Sequence, residues 1–268
     1  MRLANWIEIG RMDELARLDT PVHRLDARAK VITTMAFIMA VMSFPRYEIS
    51  ALTPYFIYQL VLVFLGRIPP GYIMRKMLVA APFALVIGIF NPFFDRSPAI
   101  VINSLVISGG WVSFVSIILR FLLTVGAALA LVACTGMYRL VEGLERICLP
   151  RIFAVQLLFL YRYLFVVADE GARMMRSLEL RTCGSVKLSC HVYGSLLGHL
   201  FLRSMGRAER IYRAMVARGF SGEIRGLRQT SSRPVDWMFL LGWITFFIVA
   251  RKWNLAASLG GLVMGGVP

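Results

Sequence analysis

The chain has 268 residues, of which 58% are hydrophobic and 17% are charged, and its mean hydropathy is +0.68. Soluble domains are about half apolar and about a quarter charged, so this composition argues against a soluble globular enzyme. Thirty lysines and arginines against fifteen acidic residues give a formal charge of +15. A chain that is both apolar and strongly basic is typical of a polytopic membrane protein with cationic segments outside the bilayer, and nucleic acid is not an expected partner.

Residues 1–30, which precede the first apolar run, contain six basic and five acidic residues. A cleavable signal peptide has a basic segment that is followed at once by an apolar one. We therefore do not expect a signal peptide here.

Apolar segments of nearly membrane-spanning length follow. A helix needs about 20 apolar residues to cross the hydrocarbon core of a bilayer. The candidate spans are residues 31–44, 51–65, 77–94, 111–135 and 237–250, with a glycine-rich half span at 253–267. The sequence thus predicts an all-α membrane protein with four to six transmembrane helices.

The charges between the spans indicate their orientation, because Lys and Arg near span ends favour the cytoplasmic side. The connections at 67–76 and 137–151 contain three basic residues each, whereas those at 46–48 and 95–96 carry no net charge. This pattern predicts a multi-pass protein of the cell membrane with a cytoplasmic N-terminus.

The largest charge excess lies at residues 171–235, with twelve basic and three acidic residues. Such a block resists translocation, so we expect a cytoplasmic domain between the fourth span and the last. The predicted organisation is an N-terminal cytoplasmic segment with the first membrane helices at 1–150, long cytoplasmic amphipathic helices at 151–235, and a C-terminal membrane helix with its tail at 236–268.

Residues 152–168 are apolar enough to cross the membrane, but Gln156 and the triplet Tyr161-Arg162-Tyr163 interrupt them. We favour a helix that leaves the membrane at a shallow angle, because a charge in the middle of a lipid-facing span is costly. The crossing alternative, which would put the basic block outside, stays open.

The basic block contains two amphipathic helices, judged by the helical repeat of about 100° per residue. On the second helix, one arc holds Arg203, Arg207, Arg210 and Arg218, and the opposite side holds Met205, Ala208, Tyr212, Met215 and Val216. The first helix groups Arg162, Asp169, Arg173 and Arg176, with Glu170 beside them.

Each of these helices ends in a tripeptide with a central arginine, Leu180-Arg181-Thr182 and Ala217-Arg218-Gly219. A small residue after the arginine suits a helix C-terminus. Guanidinium groups form bidentate hydrogen bonds to carboxylates, so the two tips suit two acidic pockets on a partner. Solvation of the helix face or contact with anionic lipid headgroups is the alternative reading of the arginines.

With these residues the chain resembles the transmembrane T component of energy-coupling factor transporters, and more closely its cobalt/nickel group (CbiQ-like). The resemblance begins at residues 23–30 (HRLDARAK), continues through Tyr161-Arg162-Tyr163, Glu170, Arg173, Arg176 and Arg181, and ends at residues 208–220 (AERIYRAMVARGF). It covers most of the chain, and its last segment is the most specific.

The resemblance implies that Arg181 and Arg218 dock into acidic grooves on two ABC-type ATPase subunits. Ala217 and Gly219 fit the usual motif, whereas Leu180 and Thr182 depart from it on both sides of the first arginine. The residues implied to support the coupling helices are Arg162, Glu170, Arg173, Arg176, Arg203, Arg207 and Arg210.

The resemblance also implies a separate, metal-specific substrate-binding membrane subunit, and complexes of this group can include a small auxiliary membrane subunit. Cobalt or nickel is the implied cargo, taken up across the inner membrane for uses that include cobalamin biosynthesis. ATP and Mg²⁺ would be bound by the ATPase subunits, so no cofactor is expected in this chain.

We find no sequence motif for catalysis and none for metal binding. The sequence lacks a G-x-x-x-x-G-K-[ST] loop, so energy must come from a partner. His23, His191 and His199 are too far apart in sequence to form a ligand cluster, and the four cysteines include no CxxC pair.

Two other functions stay open at this stage. A membrane-embedded enzyme acting on lipid would have only Asp95, Asp169 and Glu170 as candidate acid/base residues. A stand-alone channel or metal carrier would place ionisable groups within its spans. Arg120 is the main one of this kind, and it either pairs with a buried acid or carbonyl groups or lines a subunit interface.

Overall fold

The structure, a computed structural model, describes residues 16, 20–45, 50–90, 98–102, 105–181, 189–220, 222 and 233–252. Its α-helices are α1 (Pro21–Arg24), α2 (Ala27–Met42), α3 (Phe56–Leu65), α4 (Pro70–Ile89), α5 (Gly109–Thr135), α6 (Met137–Ile147), α7 (Arg151–Arg181), α8 (Cys190–Ala217) and α9 (Pro234–Lys252). A 3₁₀ helix, Ser50–Tyr55, precedes α3. The strands β1 (Pro98–Ile102) and β2 (Leu105–Ser108) form an antiparallel hairpin in which Val101 faces Val106.

The described residues form two compact units. Those from Leu144 to Gln229, which include α7 and α8, make up one unit, called here the paired-helix unit. The other described residues, which include α1 to α5 and α9, make up the second unit, called here the bundle.

Four helices are long and apolar enough to cross a membrane: Pro70–Ile89, Gly110–Thr135, Arg151–Arg181 and Pro234–Lys252. The prediction of an all-α membrane fold is confirmed. The span expected at 77–94 overlaps α4, which begins earlier because Pro70 is favourable at the first helical position. The span expected at 51–65 is divided, since Pro54 lies within the 3₁₀ helix and α3 starts only at Phe56. The half span expected at 253–267 lies outside the described residues.

An aromatic cluster forms the centre of the bundle. The Phe37 ring of α2 lies 4.7 Å from Tyr58 of α3 and 5.6 Å from Phe247 of α9. Two buried hydroxyl groups fix the arrangement: the Tyr55 hydroxyl donates to the Phe247 carbonyl at 3.1 Å, and the hydroxyls of Tyr58 and Thr34 are 2.8 Å apart. Because each polar group has a partner, the helices bury these rings without leaving unpaired hydroxyls.

The start of α9 is joined to the start of α2 by one buried carboxylate. Asp236 is 5% exposed, and its Oδ2 accepts a hydrogen bond at 2.7 Å from the backbone N–H of Arg233, immediately before α9. Its Oδ1 accepts the backbone N–H of Asp26 at 2.9 Å. Asp26 in turn caps α2 by accepting the N–H of Arg28 at 3.1 Å. One side chain thus satisfies an orphan donor at the N-terminus of each of two helices.

Other side chains of the segment 23–30 also make long-range bonds. Lys30 is 2% exposed, and its Nζ donates to the Cys134 carbonyl near the end of α5 at 3.3 Å. Arg139 of α6 donates to the carbonyl of His23 at 3.1 Å. The segment that carries part of the family resemblance therefore holds together α2, α5, α6 and α9.

Arg120, in the apolar helix α5, binds backbone carbonyls. Its Nη2 lies 3.0 Å from the oxygen of Phe44 and 2.7 Å from that of Pro45, just beyond the end of α2. Arg251 of α9 donates to the Ser43 carbonyl at 3.4 Å, and its guanidinium lies 5.1 Å from the centre of the Phe44 ring. The sequence left several roles open for Arg120, and the structure shows the pairing with carbonyl groups. The positive charge of Arg120 there compensates the negative C-terminal end of the α2 helix dipole.

We expect Asp236→Ala to lower the free energy of unfolding by about 3 kcal/mol, because two N–H groups at buried helix ends lose their acceptor. Asp236→Asn should have a smaller effect, since one oxygen remains as an acceptor. Thermal unfolding of the purified full chain in mild detergent measures both. Glu209→Gln, at a carboxylate whose side chain is 70% exposed, is the control. Equal melting temperatures for Asp236→Ala and the control would contradict this role of Asp236.

Candidate functional site

The site is built on two long helices of the paired-helix unit. α7 runs without a break through 31 residues, about 46 Å, from Arg151 to Arg181. α7 includes the triplet Tyr161-Arg162-Tyr163, in which the Arg162 side chain is exposed and its guanidinium lies 5.9 Å from the centre of the Tyr163 ring. α8 has 28 residues. Its first half is the more apolar stretch that precedes the arginines.

The C-terminus of α8 is a Schellman motif centred on the expected tripeptide. The N–H of Phe220 donates to the Met215 carbonyl at 3.0 Å, and that of Gly219 donates to the Val216 carbonyl at 2.9 Å. Gly219 has a φ of +79°, which disfavours any residue with a Cβ. Ala217 is the last helical residue and Arg218 is the cap, so the expected helix end is observed.

The two arginines at the helix ends are exposed. Arg181 is the last residue of α7, beside Leu180, which is 77% exposed, and Arg218 caps α8. Neither guanidinium forms an ion pair with another residue in the part of the chain that the structure describes. Thr182 lies outside the described residues. Both charges are therefore available to an external acidic partner.

A carboxylate joins the two helices. Glu170 of α7 accepts a hydrogen bond at Oε2 from Arg173 of the same helix, at 2.7 Å. Its Oε1 accepts one from Arg203 of α8, at 2.8 Å, and Nη2 of Arg207 lies 3.8 Å from Oε2. Charge-assisted hydrogen bonds of this length are about twice as strong as neutral ones. We call these four residues the Glu170 cluster.

The electrostatics of the cluster favour the ionised form of Glu170. The apolar run of α7 ends before this residue, and the hydrogen bonds from Arg173 and Arg203 hold the pKa of Glu170 below its usual value. A carboxylate with a lowered pKa is a poor general acid at neutral pH. Of the other acids considered for a lipid-acting enzyme, Asp169 is adjacent to the cluster in sequence, and Asp95 lies outside the described residues.

The cluster lies at the same distance along each helix from the exposed tips. Eleven residues separate Glu170 from Arg181, and eleven separate Arg207 from Arg218, which is about 16 Å in each case. The other expected support residues are not part of the cluster: Arg162 lies about two turns upstream of it, and Arg176 and Arg210 are exposed. The structure therefore brings together four of the seven residues that the resemblance implied.

An apolar groove of about 430 Å³ runs between the same two helices. Its walls include Phe159 and Tyr163 of α7 and Met205, Tyr212 and Met215 of α8. Met205 and Tyr212 are 53% and 64% exposed, so the face expected to be apolar on α8 is open. The α7 side of the groove was not predicted, although apolar residues at 159, 163 and 167 recur every four residues, which is a signal of one helix face.

No group of three or more His, Cys, Asp or Glu side chains converges within the described residues. His23 is buried in the bundle, where its Nδ1 lies 2.6 Å from the Thr20 hydroxyl. His191 and His199 lie on α8, two turns apart.

Comparisons with known proteins give a family and named relatives. The family model described as CbiQ, cobalt transport protein, matches residues 19–230. The energy-coupling factor transporter transmembrane protein EcfT of Listeria innocua is 26% identical over 237 residues, which cover 81% of this chain and 86% of the relative. EcfT of Bacillus subtilis is 27% identical, covering 81% and 85%. The nickel permease LarQ of Lactiplantibacillus plantarum is 31% identical over 117 residues, covering 43% and 42%.

We expect Glu170→Gln to loosen the pairing of α7 with α8, because a neutral amide forms weaker bonds to the arginines. Spin labels at the exposed positions Ser177 and Ala214 allow the distance between the helices to be measured by double electron–electron resonance. The distance distribution should broaden in Glu170→Gln and remain unchanged in the control Glu209→Gln.

Moving the carboxylate from α7 to α8 should restore the pairing of the two helices. The double variant Glu170→Arg with Arg203→Glu keeps the number of charges, and Glu at 203 would be well placed to pair with Arg207 four residues later. The narrow distribution should return in the double variant and not in either single variant. A broad distribution in the double variant, or a narrow one in Glu170→Gln, would contradict the role of the Glu170 cluster.

Proposed function

Because the chain belongs to the CbiQ family of cobalt transport proteins, we propose that it is a coupling subunit that transmits closure of two ABC-type ATPase subunits to a separate substrate-binding membrane subunit. Its relatives include transmembrane components of energy-coupling factor transporters, so the chain is a non-catalytic membrane subunit of such a transporter.

The observation that carries the proposal is the pair of helices that are joined by the Glu170 cluster and end in exposed arginines, neither of which forms an ion pair with a residue that the structure describes. Arg181 and Arg218 are presented at helix ends about 16 Å beyond the cluster. Each guanidinium offers planar donors that match a carboxylate. Two separate tips fit two ATPase subunits, each of which would supply an acidic groove.

The mechanism follows from this geometry. Nucleotide binding would bring the two ATPase subunits together and move the two arginine tips with them. Since α7 and α8 are each continuous, a displacement at a tip is carried along the whole helix. The Glu170 cluster then acts as the pivot about which the angle between the helices changes, which is a hinge-type transition. ATP and Mg²⁺ are bound by the ATPase subunits in this scheme.

The apolar groove between α7 and α8 is the surface we assign to the substrate-binding membrane subunit. Met205 and Met215 lie in this groove, and methionine side chains adapt to a partner that slides or changes orientation. A rotation of α8 relative to α7 would reshape this surface. In this way the movement of the tips reaches the partner in the membrane.

Cobalt or nickel is the proposed cargo. The matching family is described as a cobalt transport protein, and one relative is named a nickel permease. In this proposal the metal is selected by the separate membrane subunit, and the complex can include a small auxiliary membrane subunit. No described residue supports the alternative of a stand-alone carrier, since Arg120 binds the carbonyls of Phe44 and Pro45.

The proposed topology puts the N-terminus and residues 151–235 in the cytoplasm of the cell, where the ATPase subunits are. In this proposal, the membrane helices lie in residues 1–150 and 236–268, as predicted from the sequence. The excess of twelve basic over three acidic residues at 171–235 supports this orientation.

We expect Arg218→Glu to reduce the amount of ATPase that co-purifies with the chain by at least about ten-fold, because loss of one partner in a buried charge pair costs about 2–5 kcal/mol. Arg181→Glu should act in the same direction. The measurement is co-purification of the whole complex in mild detergent, together with metal uptake by cells. Arg213→Glu, an exposed position on α8, is the matched control. Full uptake by the Arg181→Glu, Arg218→Glu double variant would refute the coupling proposal.

We also expect a cysteine at position 213 to be shielded in intact cells. In a variant without the four native cysteines, Arg213→Cys should react with a membrane-impermeant maleimide only after the membrane is opened. This result follows from a cytoplasmic location of α8. Labelling of intact cells to the same extent would place the basic helices outside and contradict the proposed topology.

A further inference from the structure

A second cavity lies between α7 and α8, next to the Glu170 cluster. It has a volume of about 290 Å³, near the lower end of the range of about 300–1,000 Å³ for small-molecule sites. One wall is apolar and includes Val166, Val167 and Leu200. The other wall carries Arg207 and Arg210. The cavity is therefore amphipathic, with an apolar side and a cationic side.

The cavity lies where α7 changes from apolar to charged. The apolar residues Val166 and Val167 line the cavity and are followed by Glu170, and α7 is one of the helices that are apolar enough to cross a membrane. Val166, Val167 and Glu170 are half-buried, whereas Leu202 and Arg203 of α8 are exposed. An apolar segment that is followed by charged residues, with arginines beside it, is typical of a surface at a membrane–water interface.

The charges around the cavity leave a surplus of positive charge. Three arginines line it, Arg203, Arg207 and Arg210, against the single carboxylate of Glu170. Glu170 is already bound closely by Arg173 and Arg203. Arg207 is 3.8 Å from Glu170, and the Arg210 guanidinium has no ion pair among the residues that the structure describes. At least one guanidinium is thus free to bind an anion from outside the protein.

The absence of a side chain at Gly206 leaves room for the Arg210 guanidinium at the cavity wall. Gly206 lines the cavity, and a Cβ at this position would meet Nη1 of Arg210 at 3.6 Å. The guanidinium therefore lies back over the glycine, toward the cavity. A larger side chain at 206 would occupy the same space without changing any charge.

We propose that this cavity binds the phosphate headgroup of an anionic phospholipid, with Arg207 and Arg210 on the phosphate and the lipid chains directed along the apolar wall. Guanidinium groups recognise phosphate oxygens by bidentate hydrogen bonds. The apolar wall favours a lipid over free phosphate, which has no apolar part. The inference needs only the cavity and a membrane protein, so it stands independently of the docking of Arg181 and Arg218 to ATPase subunits.

The test uses the purified full chain in mild detergent and native mass spectrometry. The probes are dioctanoyl phosphatidylglycerol, dioctanoyl phosphatidylcholine and inorganic phosphate. Phosphatidylglycerol should be retained, phosphatidylcholine should not, and inorganic phosphate in excess should not displace the bound lipid. Equal retention of the two lipids, or displacement by inorganic phosphate at similar concentration, would overturn the assignment to an anionic lipid.

Variants locate the bound lipid. Arg210→Ala should weaken binding of phosphatidylglycerol about five-fold, since a basic residue near an anionic lipid contributes about 1 kcal/mol. Gly206→Leu should weaken it by filling the cavity, and it also favours the helix, so loss of folding is not a concern. The matched control is Arg213→Ala, an exposed arginine of α8 outside the cavity. If Arg210→Ala and Gly206→Leu bind the lipid as the control does, the cavity is not the site.

Discussion

The arrangement of the paired-helix unit depends on one carboxylate shared by arginines of two helices. Glu170 accepts hydrogen bonds from Arg173 on its own helix and from Arg203 on the neighbouring one. The unit carries many positive charges, and two cationic helices repel each other unless an anion lies between them. A single glutamate supplies that anion, and apolar residues such as Phe159 and Phe220 bring the helices together elsewhere.

The arginines of the chain consequently have different roles according to their partners. Arg203 is paired with Glu170, whereas Arg120 and Arg251 bind backbone carbonyls at the end of α2 in the bundle. Arg181 and Arg218 are exposed at helix ends. The bundle combines its buried aromatic cluster with polar contacts such as the hydrogen bonds of Asp236 and Tyr55.

Much of the local structure was accessible from the sequence. The apolar runs predicted an all-α membrane protein, and the Ala-Arg-Gly tripeptide predicted the end of α8, which is confirmed by a Schellman motif with Gly219 at a φ of +79°. The triplet at 161–163 was expected to interrupt the apolar run but not the helix, and α7 is a continuous helix through it. The Arg162 side chain is exposed.

The sequence by itself determined which segments are apolar or amphipathic helices and where α8 ends, because these follow from periodicity and capping over a few residues, whereas the starts of α3 and α4 differ from the predicted ones. Only the tertiary structure decided which polar groups meet. Asp236 binds a backbone group 210 positions away, Arg120 binds carbonyls 75 and 76 positions away, and Glu170 reaches Arg203 across 33 positions. The physical reason is that a periodic pattern specifies which face of a helix is polar or apolar, whereas the identity of the facing residue depends on how the helices pack.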